Sequence, residues 1–370
     1  MKIIAYYLPQ FHEIPENNKW WGKGFTEWVN VKKSKPTFKG QYQPRIPLGK
    51  NYYDLTDVNT LEWQAKIAKD FGIYGFCFYH YWFEGEMLLE KPAEILLSNK
   101  SIDIPFCFSW ANHTWTKQWA DKSDVILKKQ TYGDDEDWVK HFNYLLPFFV
   151  DERYIKEEGK PIVILYNPKG VSAFPSMMKK WNQYAISNGL PGLKFIHQEN
   201  EFDHSKETGG DLFSYGIEYQ PSDAMHKYLN DKKIRTSLMR IMNRVANVIP
   251  VLRCKATTLH YEYDELWKYI LEKTPKDDRW LPGAFVDWDN TPRRKNRGNL
   301  CVGTTPEKLM KYMTIQIKRA REIYHSDKIF MFAWNEWGES GYLEPDEKYG
   351  YKMLEAVKEA LINNDEFPNY

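Results

Sequence analysis

Eight short runs, apolar at nearly every position, alternate along the chain with longer stretches in which apolar residues recur every three or four positions. The short runs are Lys2–Leu8, Gly75–Trp82, Pro105–Trp110, Pro161–Tyr166, Leu193–Gln198, Leu212–Tyr219, Gly283–Trp288 and Lys328–Trp334. Near-continuous apolar character is what strands buried on both faces of a parallel sheet require. The longer stretches, Val58–Phe71, Ala93–Asn99, Asp135–Phe149, Pro175–Asn188, Tyr263–Lys273, Thr305–Tyr324 and Tyr349–Leu361, have the period of amphipathic helices. Thr305 followed by Pro306 is a strong helix start, because a capping hydroxyl precedes a residue whose missing N–H costs nothing in the first turn. Eight strands alternating with helices predict an α/β fold, a (β/α)8 TIM barrel forming a single domain over residues 1–370.

Two stretches exceed the minimal repeat, a loop insertion at 10–57 after the first strand and a basic, helical insertion at 225–255 after the sixth. Both are expected to decorate the barrel. Asp231-Lys232-Lys233-Ile234-Arg235, with Arg240, Arg244 and Arg253, reads as a solvated helix face, the alternative being a contact to an anionic sugar or phosphate. No repeat, low-complexity tract or linker marks a second domain.

Composition sharpens this picture at one point. Fifteen Trp, 25 Tyr and 20 Phe exceed what a barrel core needs, and flat aromatic faces either pack or stack on sugar rings. Charge excludes a class of partner: 51 basic residues against 50 acidic ones do not suit a protein that neutralises many phosphates, so no nucleic acid is expected. The opening apolar run is too short for a signal segment and none is long enough to span a bilayer, so a cytoplasmic location without membrane insertion is expected. Cys77, Cys107, Cys254 and Cys301 lack metal-type spacing and read as reduced thiols. His12, His80, His113 and His197 stand in separate segments, and neither a Walker loop nor GxGxxG is present, so neither metal nor cofactor is expected.

Catalytic groups of such barrels sit where the strands end. The eighth strand runs into Trp334-Asn335-Glu336-Trp337-Gly338-Glu339, two carboxylates three residues apart among aromatics. Cleavage of a glycosidic bond needs one acid to protonate the leaving oxygen and a second, ionised group for the other face of the sugar. Burial against Trp would raise one pKa and make that group a proton donor. Loop carboxylates bonded to backbone N–H groups or to Arg293 and Arg294 would use the same residues, and residue chemistry alone leaves both readings open. The other strand ends bring polar and aromatic candidates for a carbohydrate cleft: Tyr6, Tyr7, Gln10 and His12, with Glu27 and Trp28 from the insertion; His80 and Trp82; Trp110, Asn112 and Trp115; Tyr166; His197; Tyr219; Trp288, Asn290, Arg293 and Arg294; and Asn335 and Trp337 beside the acids.

The motifs Ala5-Tyr6-Tyr7-Leu8-Pro9-Gln10-Phe11-His12, Gly24-Phe25-Thr26-Glu27-Trp28, Phe78-Tyr79-His80-Tyr81-Trp82, Trp110-Ala111-Asn112, Trp288-Asp289-Asn290-Thr291-Pro292-Arg293-Arg294 and Trp334-Asn335-Glu336-Trp337-Gly338-Glu339, in that order, resemble the WbsX family of bacterial polysaccharide gene clusters. That family is similar to the glycoside hydrolase family 99 endo-α-mannosidases and endo-α-mannanases. The resemblance implies a retaining glycosidase for an α-linked, mannose-like glycan or bacterial polysaccharide. By motif position, Glu336 would take a proton from the sugar's own 2-hydroxyl and Glu339 would act as acid and then as base, through a 1,2-anhydro sugar. Ser340 departs from the family pattern, in which Gly directly follows the second Glu. Two other functions stay open: a glycosyltransferase of O-antigen or surface-polysaccharide biosynthesis, although no nucleotide-sugar site is recognisable, and a non-catalytic glycan-binding barrel.

Overall fold

The computed structural model describes residues 1–117, 125–198 and 210–368. Its inner wall is built from β1 (Lys2–Tyr7), β2 (Ile73–Phe83), β3 (Phe106–Trp110), β4 (Lys160–Leu165), β5 (Lys194–His197), β6 (Tyr215–Ile217), β7 (Trp280–Leu281 and Gly283–Phe285) and β8 (Lys328–Phe332). Each strand pairs in parallel with the next, and β1 pairs with both β2 and β8. Pro282 splits β7: the first half pairs with β6 and the second with β8, so the ring closes through the broken strand. A proline offers no ladder donor, hence the break, but the Pro282 carbonyl still accepts from Phe330 N–H at 3.1 Å.

In chain order the helices are α1 (Pro15–Trp21), α2 (Glu27–Lys33), α3 (Val58–Asp70), α4 (Lys91–Ser98), α5 (Asp135–Val150), α6 (Phe174–Ser187), α7 (Ser222–Asp231), α8 (Lys233–Val248), α9 (Tyr263–Glu272), α10 (Thr291–Arg294), α11 (Pro306–Glu322) and α12 (Lys352–Ile362). Local chemistry sets their starts. The Asp57 carboxylate accepts from Asn59 N–H ahead of α3, Asp134 from Glu136 and Asp137 N–H ahead of α5, and the Thr305 hydroxyl from Lys308 N–H ahead of α11. The expected TIM barrel of one domain is what the chain forms.

The expectation that both insertions merely decorate the barrel needs correction for the first. Phe11, Glu27, Trp28, Val31, Gln41, Gln43, Arg45, Tyr53 and Leu55 of that stretch are all buried; Trp28 and Tyr53 meet the segment that follows β8, and Glu27, Gln41, Gln43 and Arg45 the one that follows β7. The second insertion begins earlier than expected, at Ser222, as two consecutive helices, α7 and α8, separated by Lys232 alone.

Strand parity decides which side chains reach the barrel mouth, because neighbours on a strand point to opposite faces. In β2 Tyr79 turns inward, stacked on Tyr6 at 5.6 Å, whereas His80 and Trp82 turn outward onto His141 of α5.

Candidate active site

The segment after β8 is pinned from three sides. Asn335 Oδ1 accepts from Leu8 N–H at 2.7 Å while its Nδ2 donates to Leu8 C=O at 3.0 Å, tying the exit of β8 to that of β1. Trp337 Nε1 donates to Glu344 at 2.6 Å, and its ring stacks on Tyr342 at 3.7 Å. Glu344 also accepts from Tyr53 and Gln64, and burial pushes its carboxyl up to about 7. With Trp337 so fixed, Glu336 and Glu339 flank it on one tight turn.

Arg293, on the one-turn helix α10, is the hub. Its Nε donates to Glu27 at 2.9 Å, Nη2 to Glu336 at 3.0 Å, and Nη1 lies 2.9 Å from Glu339. Three carboxylates around one guanidinium leave two uncompensated negative charges if all are ionised. Burial, opposed by Arg293 and reinforced by the charges of Glu339 and Glu27, pushes Glu336 up to about 8. Glu336 therefore keeps its proton to higher pH than a free carboxylate does. Gly338 is required by this packing: a Cβ there would stand 2.0 Å from Glu27 Oε1 and 2.7 Å from Arg293 Nε.

The turn after Glu339 is held by the first insertion. Asp289 N–H donates to Glu339 C=O at 2.7 Å, and the Asp289 carboxylate accepts from Gln41 at 2.8 Å and Gln43 at 3.0 Å. Arg45 pairs with Asp287 at 2.7 Å, both side chains buried. Ser340 adopts φ 56°, in the left-handed region that favours glycine. Gln43 Nε2, 3.1 Å from Ser340 Oγ, gives that hydroxyl a partner in this conformation.

Glu336, Glu339 and Arg293 open into a cleft of about 950 Å³, including solvent at its mouth, that lies over the C-terminal ends of the strands. Its walls are Leu8, Gln10, Trp21, Tyr79, Tyr81, Ala111, His113, Thr114, Trp115, Thr116, Leu127, Tyr166 and Tyr219. The Tyr79 and Tyr219 hydroxyls are 2.9 Å apart on its floor, and burial lowers the pKa of His113, which favours the neutral imidazole. Such a surface offers ring faces and hydroxyls, the complement of a sugar's C–H faces and hydroxyl edges.

Of the residues singled out from the sequence, the cleft brings together Gln10, Trp115, Tyr166, Tyr219, Arg293, Glu336 and Glu339. Others stand behind it. Tyr6 lies one layer below Tyr79, Glu27 is buried behind Arg293, and Trp28 packs on Trp337 at 5.5 Å and donates to Tyr53 C=O. Asn335 and Trp337 brace the acid-bearing turn as described above. Tyr7 faces α3, where it donates to Gln64, and His12 is buried. His80, Trp82 and Trp110 form an aromatic layer against α5 and α6, with His80 bonded to His141 and Trp82 to Asp137. Asn112 clamps Asn167 through that residue's N–H and C=O, and His197 sits under Gly216 between Phe213 and Trp280. Trp288 and Asn290 bind Asn299, and Arg294 is exposed. Sequence reading left Trp21, Tyr79, Tyr81 and His113 off the candidate set. The usable signal was parity: in Tyr79-His80-Tyr81-Trp82 only alternate residues can face the mouth. Among the described residues no group of three or more His, Cys, Asp or Glu is placed to hold a metal ion, and no helix is long and apolar enough to cross a membrane.

Comparison with known proteins adds the following. The family model described as Glycosyltransferase WbsX matches residues 3–357. A protein of Xanthomonas campestris pv. campestris (strain B100), described as uncharacterized protein WxcX, is 31% identical over 362 residues, covering 97% of this chain and 49% of its own length. Its counterpart in a second strain is 30% identical over 364 residues. The chain thus spans about half the length of the curated relatives it matches. Among solved structures, the GH99 endo-alpha-mannosidase from Bacteroides thetaiotaomicron is similar with a TM-score of 0.52 and 13% identity, covering 99% of this chain and 97% of that one. A glycoside hydrolase-like protein is similar with a TM-score of 0.57 and 12% identity, covering 100% and 94%. At these identities the likeness is one of fold.

Proposed function

The chain belongs to the WbsX family, and from that premise we propose that it is a retaining glycoside hydrolase acting on an α-linked, mannose-like glycan or bacterial polysaccharide. One observation carries the reading: Glu336 and Glu339 lie on the same aromatic cleft, bonded to the same arginine. In this reading Glu336 accepts the proton of the sugar's 2-hydroxyl, the 2-oxygen attacks the anomeric carbon, and Glu339 protonates the departing glycosidic oxygen. Water then opens the 1,2-anhydro sugar, giving its proton to Glu339 as Glu336 returns one to the 2-oxygen. No covalent bond to the protein forms, unlike the carboxylate-nucleophile route. A carboxylate raised to about 8 suits the first step, since a base works best when its pKa lies near the working pH. Arg293 holds both carboxylates in place and offsets their charge.

Offered a panel of α-mannosides and bacterial glycans, the protein should release sugar, and Glu339→Gln should abolish release. Equal inertness of wild type and variant over a broad panel would end the hydrolase reading. The description of the matched family favours a second reading, glycosyl transfer from an activated donor. Titration with nucleotide sugars separates the two, since only a transferase should bind them saturably in the cleft.

A further inference from the structure

The second insertion carries a surface unlike the rest of the molecule. Of the sixteen exposed large apolar residues among the described residues, nine fall between Ile234 and Leu252, with Ile234 82%, Val248 81% and Val251 87% exposed. In α8 they obey a helical rule. At about 100° per residue, Ile234, Leu238, Ile241, Met242, Val245, Val248 and Ile249 project within about a third of the circumference. Thr236, Met239 and Ala246, on the other side, are the residues the helix buries against the protein.

Charge borders this stripe. Lys233, Arg240 and Arg244 project along one edge and Arg235 along the other, and no Asp or Glu occurs between Asp231 and Glu262. Beside the stripe a shallow, open groove runs between α7 and α8, where His226, Lys233, Ser237 and Arg240 offer donors to an anion. The helix also packs near Lys295–Arg297, the turn that follows Arg293, so more cations adjoin the patch.

We infer that α8 and the turn after it dock in the plane of an anionic lipid surface, the apolar stripe entering the headgroup–acyl boundary and the groove and border cations meeting lipid phosphates. A helix with a broad apolar face, Lys and Arg along its edges and low overall hydrophobicity is built to lie in a membrane interface rather than cross it. A second copy of the chain is a poor occupant: pairing about a two-fold axis would set Lys233, Arg240 and Arg244 against their own copies, and the acid beside the patch, Glu262, is already paired with Arg235 at 3.4 Å. The inference does not depend on the glycosidase reading.

Flotation of the purified full chain with vesicles tests it. The protein should float with vesicles containing phosphatidylglycerol, stay behind with pure phosphatidylcholine, and be released as salt is raised. Leu238→Asp with Ile241→Asp, at exposed positions, should weaken binding roughly tenfold or more, as should Arg240→Glu with Arg244→Glu, at unchanged melting temperature. Absence of flotation, equal affinity for neutral and anionic vesicles, or full binding by both variants would overturn the inference. So would a dimer in vesicle-free solution that Leu238→Asp dissociates, which would assign the face to a second copy, or release from vesicles by millimolar inorganic phosphate at constant ionic strength, which would reduce the groove to a free-anion site.

Discussion

Two insertions interrupt the same barrel and do opposite things with their side chains. The stretch at 10–57 turns Glu27, Gln41, Gln43, Arg45 and Tyr53 inward, to the guanidinium, carboxylates and indole that fix the turn bearing Glu336 and Glu339. The α7–α8 insertion buries little of α8 and leaves its apolar stripe in the open. Both interrupt the barrel between a strand and the next helix, yet one is part of the scaffold of the candidate site and the other is a surface. What separates them is whether long polar side chains find buried partners on other segments. Precision at a site comes from such interlocking support, and an insertion that supplies it is no longer optional.

The sharpest way to break this contrast is at the joint between the first insertion and the site. Gly338→Ala would drive a methyl into Glu27 and Arg293, so the carboxylates must shift; a displacement near 1 Å should lower kcat by about a hundredfold or more on any glycan the wild type cleaves. Wild-type turnover in that variant would mean that Glu27 and Arg293 do not position the acids. Next in size is Arg45→Ala, which strands the buried Asp287 carboxylate and should cost about 3–5 kcal/mol in denaturant unfolding. A loss near that of an exposed pair would show that water reaches Asp287 and that this part of the insertion is loosely seated.

A smaller effect tests whether the first insertion tunes the chemistry as well as holding it. With Glu336 as base the pH–rate profile should carry a rising limb centred near 8. Glu27→Gln removes a negative charge that raises Glu336, so the rising limb should move to lower pH. A profile that only falls with pH through 8, with no rising limb there, would exchange the roles of the two acids. Stability carries the same sign information. Because the folded value is raised, Glu336 contributes fully below its unfolded value and loses that contribution as pH climbs toward 8. Glu336→Gln should therefore melt higher than wild type at pH 8, by about a few degrees, and nearly level with it at pH 4.

These contrasts also explain what could be read from the chain beforehand. The eight wall strands were legible because burial on both faces leaves near-continuous apolar runs, and the acid pair was conspicuous at the end of the last one. The same continuity hid parity. In Phe78-Tyr79-His80-Tyr81-Trp82 both faces are aromatic, and polar His80 drew notice although its partner, His141, lies 61 residues away on α5. The role of the first insertion was hidden for a related reason, since its partners Asp287, Asp289 and Arg293 are more than two hundred residues distant. One trace was present: Gln41, Gln43 and Arg45 alternate, as long polar side chains do when an extended segment lays one face against a polar wall. For α8 the charges held the eye: Lys232, Lys233, Arg235, Arg240 and Arg244 read as a solvated face, and the apolar stripe running between them was passed over.

The smallest expected effect belongs to the second insertion and limits how far the contrast extends. Cys254 is exposed just beyond α8, at the start of the turn Lys255–Thr257, and is bonded within that turn, to Thr257. Serine keeps an oxygen where the thiol caps the turn, so Cys254→Ser should leave kcat and KM on a soluble glycan at wild-type values and the melting temperature within about one degree. If the contrast between the insertions is right, nothing at this position is relayed to Arg293, even though α8 packs near the turn after it. A drop in kcat of tenfold, with folding intact, would show that the α7–α8 insertion also positions the guanidinium, and the two insertions would then differ in degree rather than in kind.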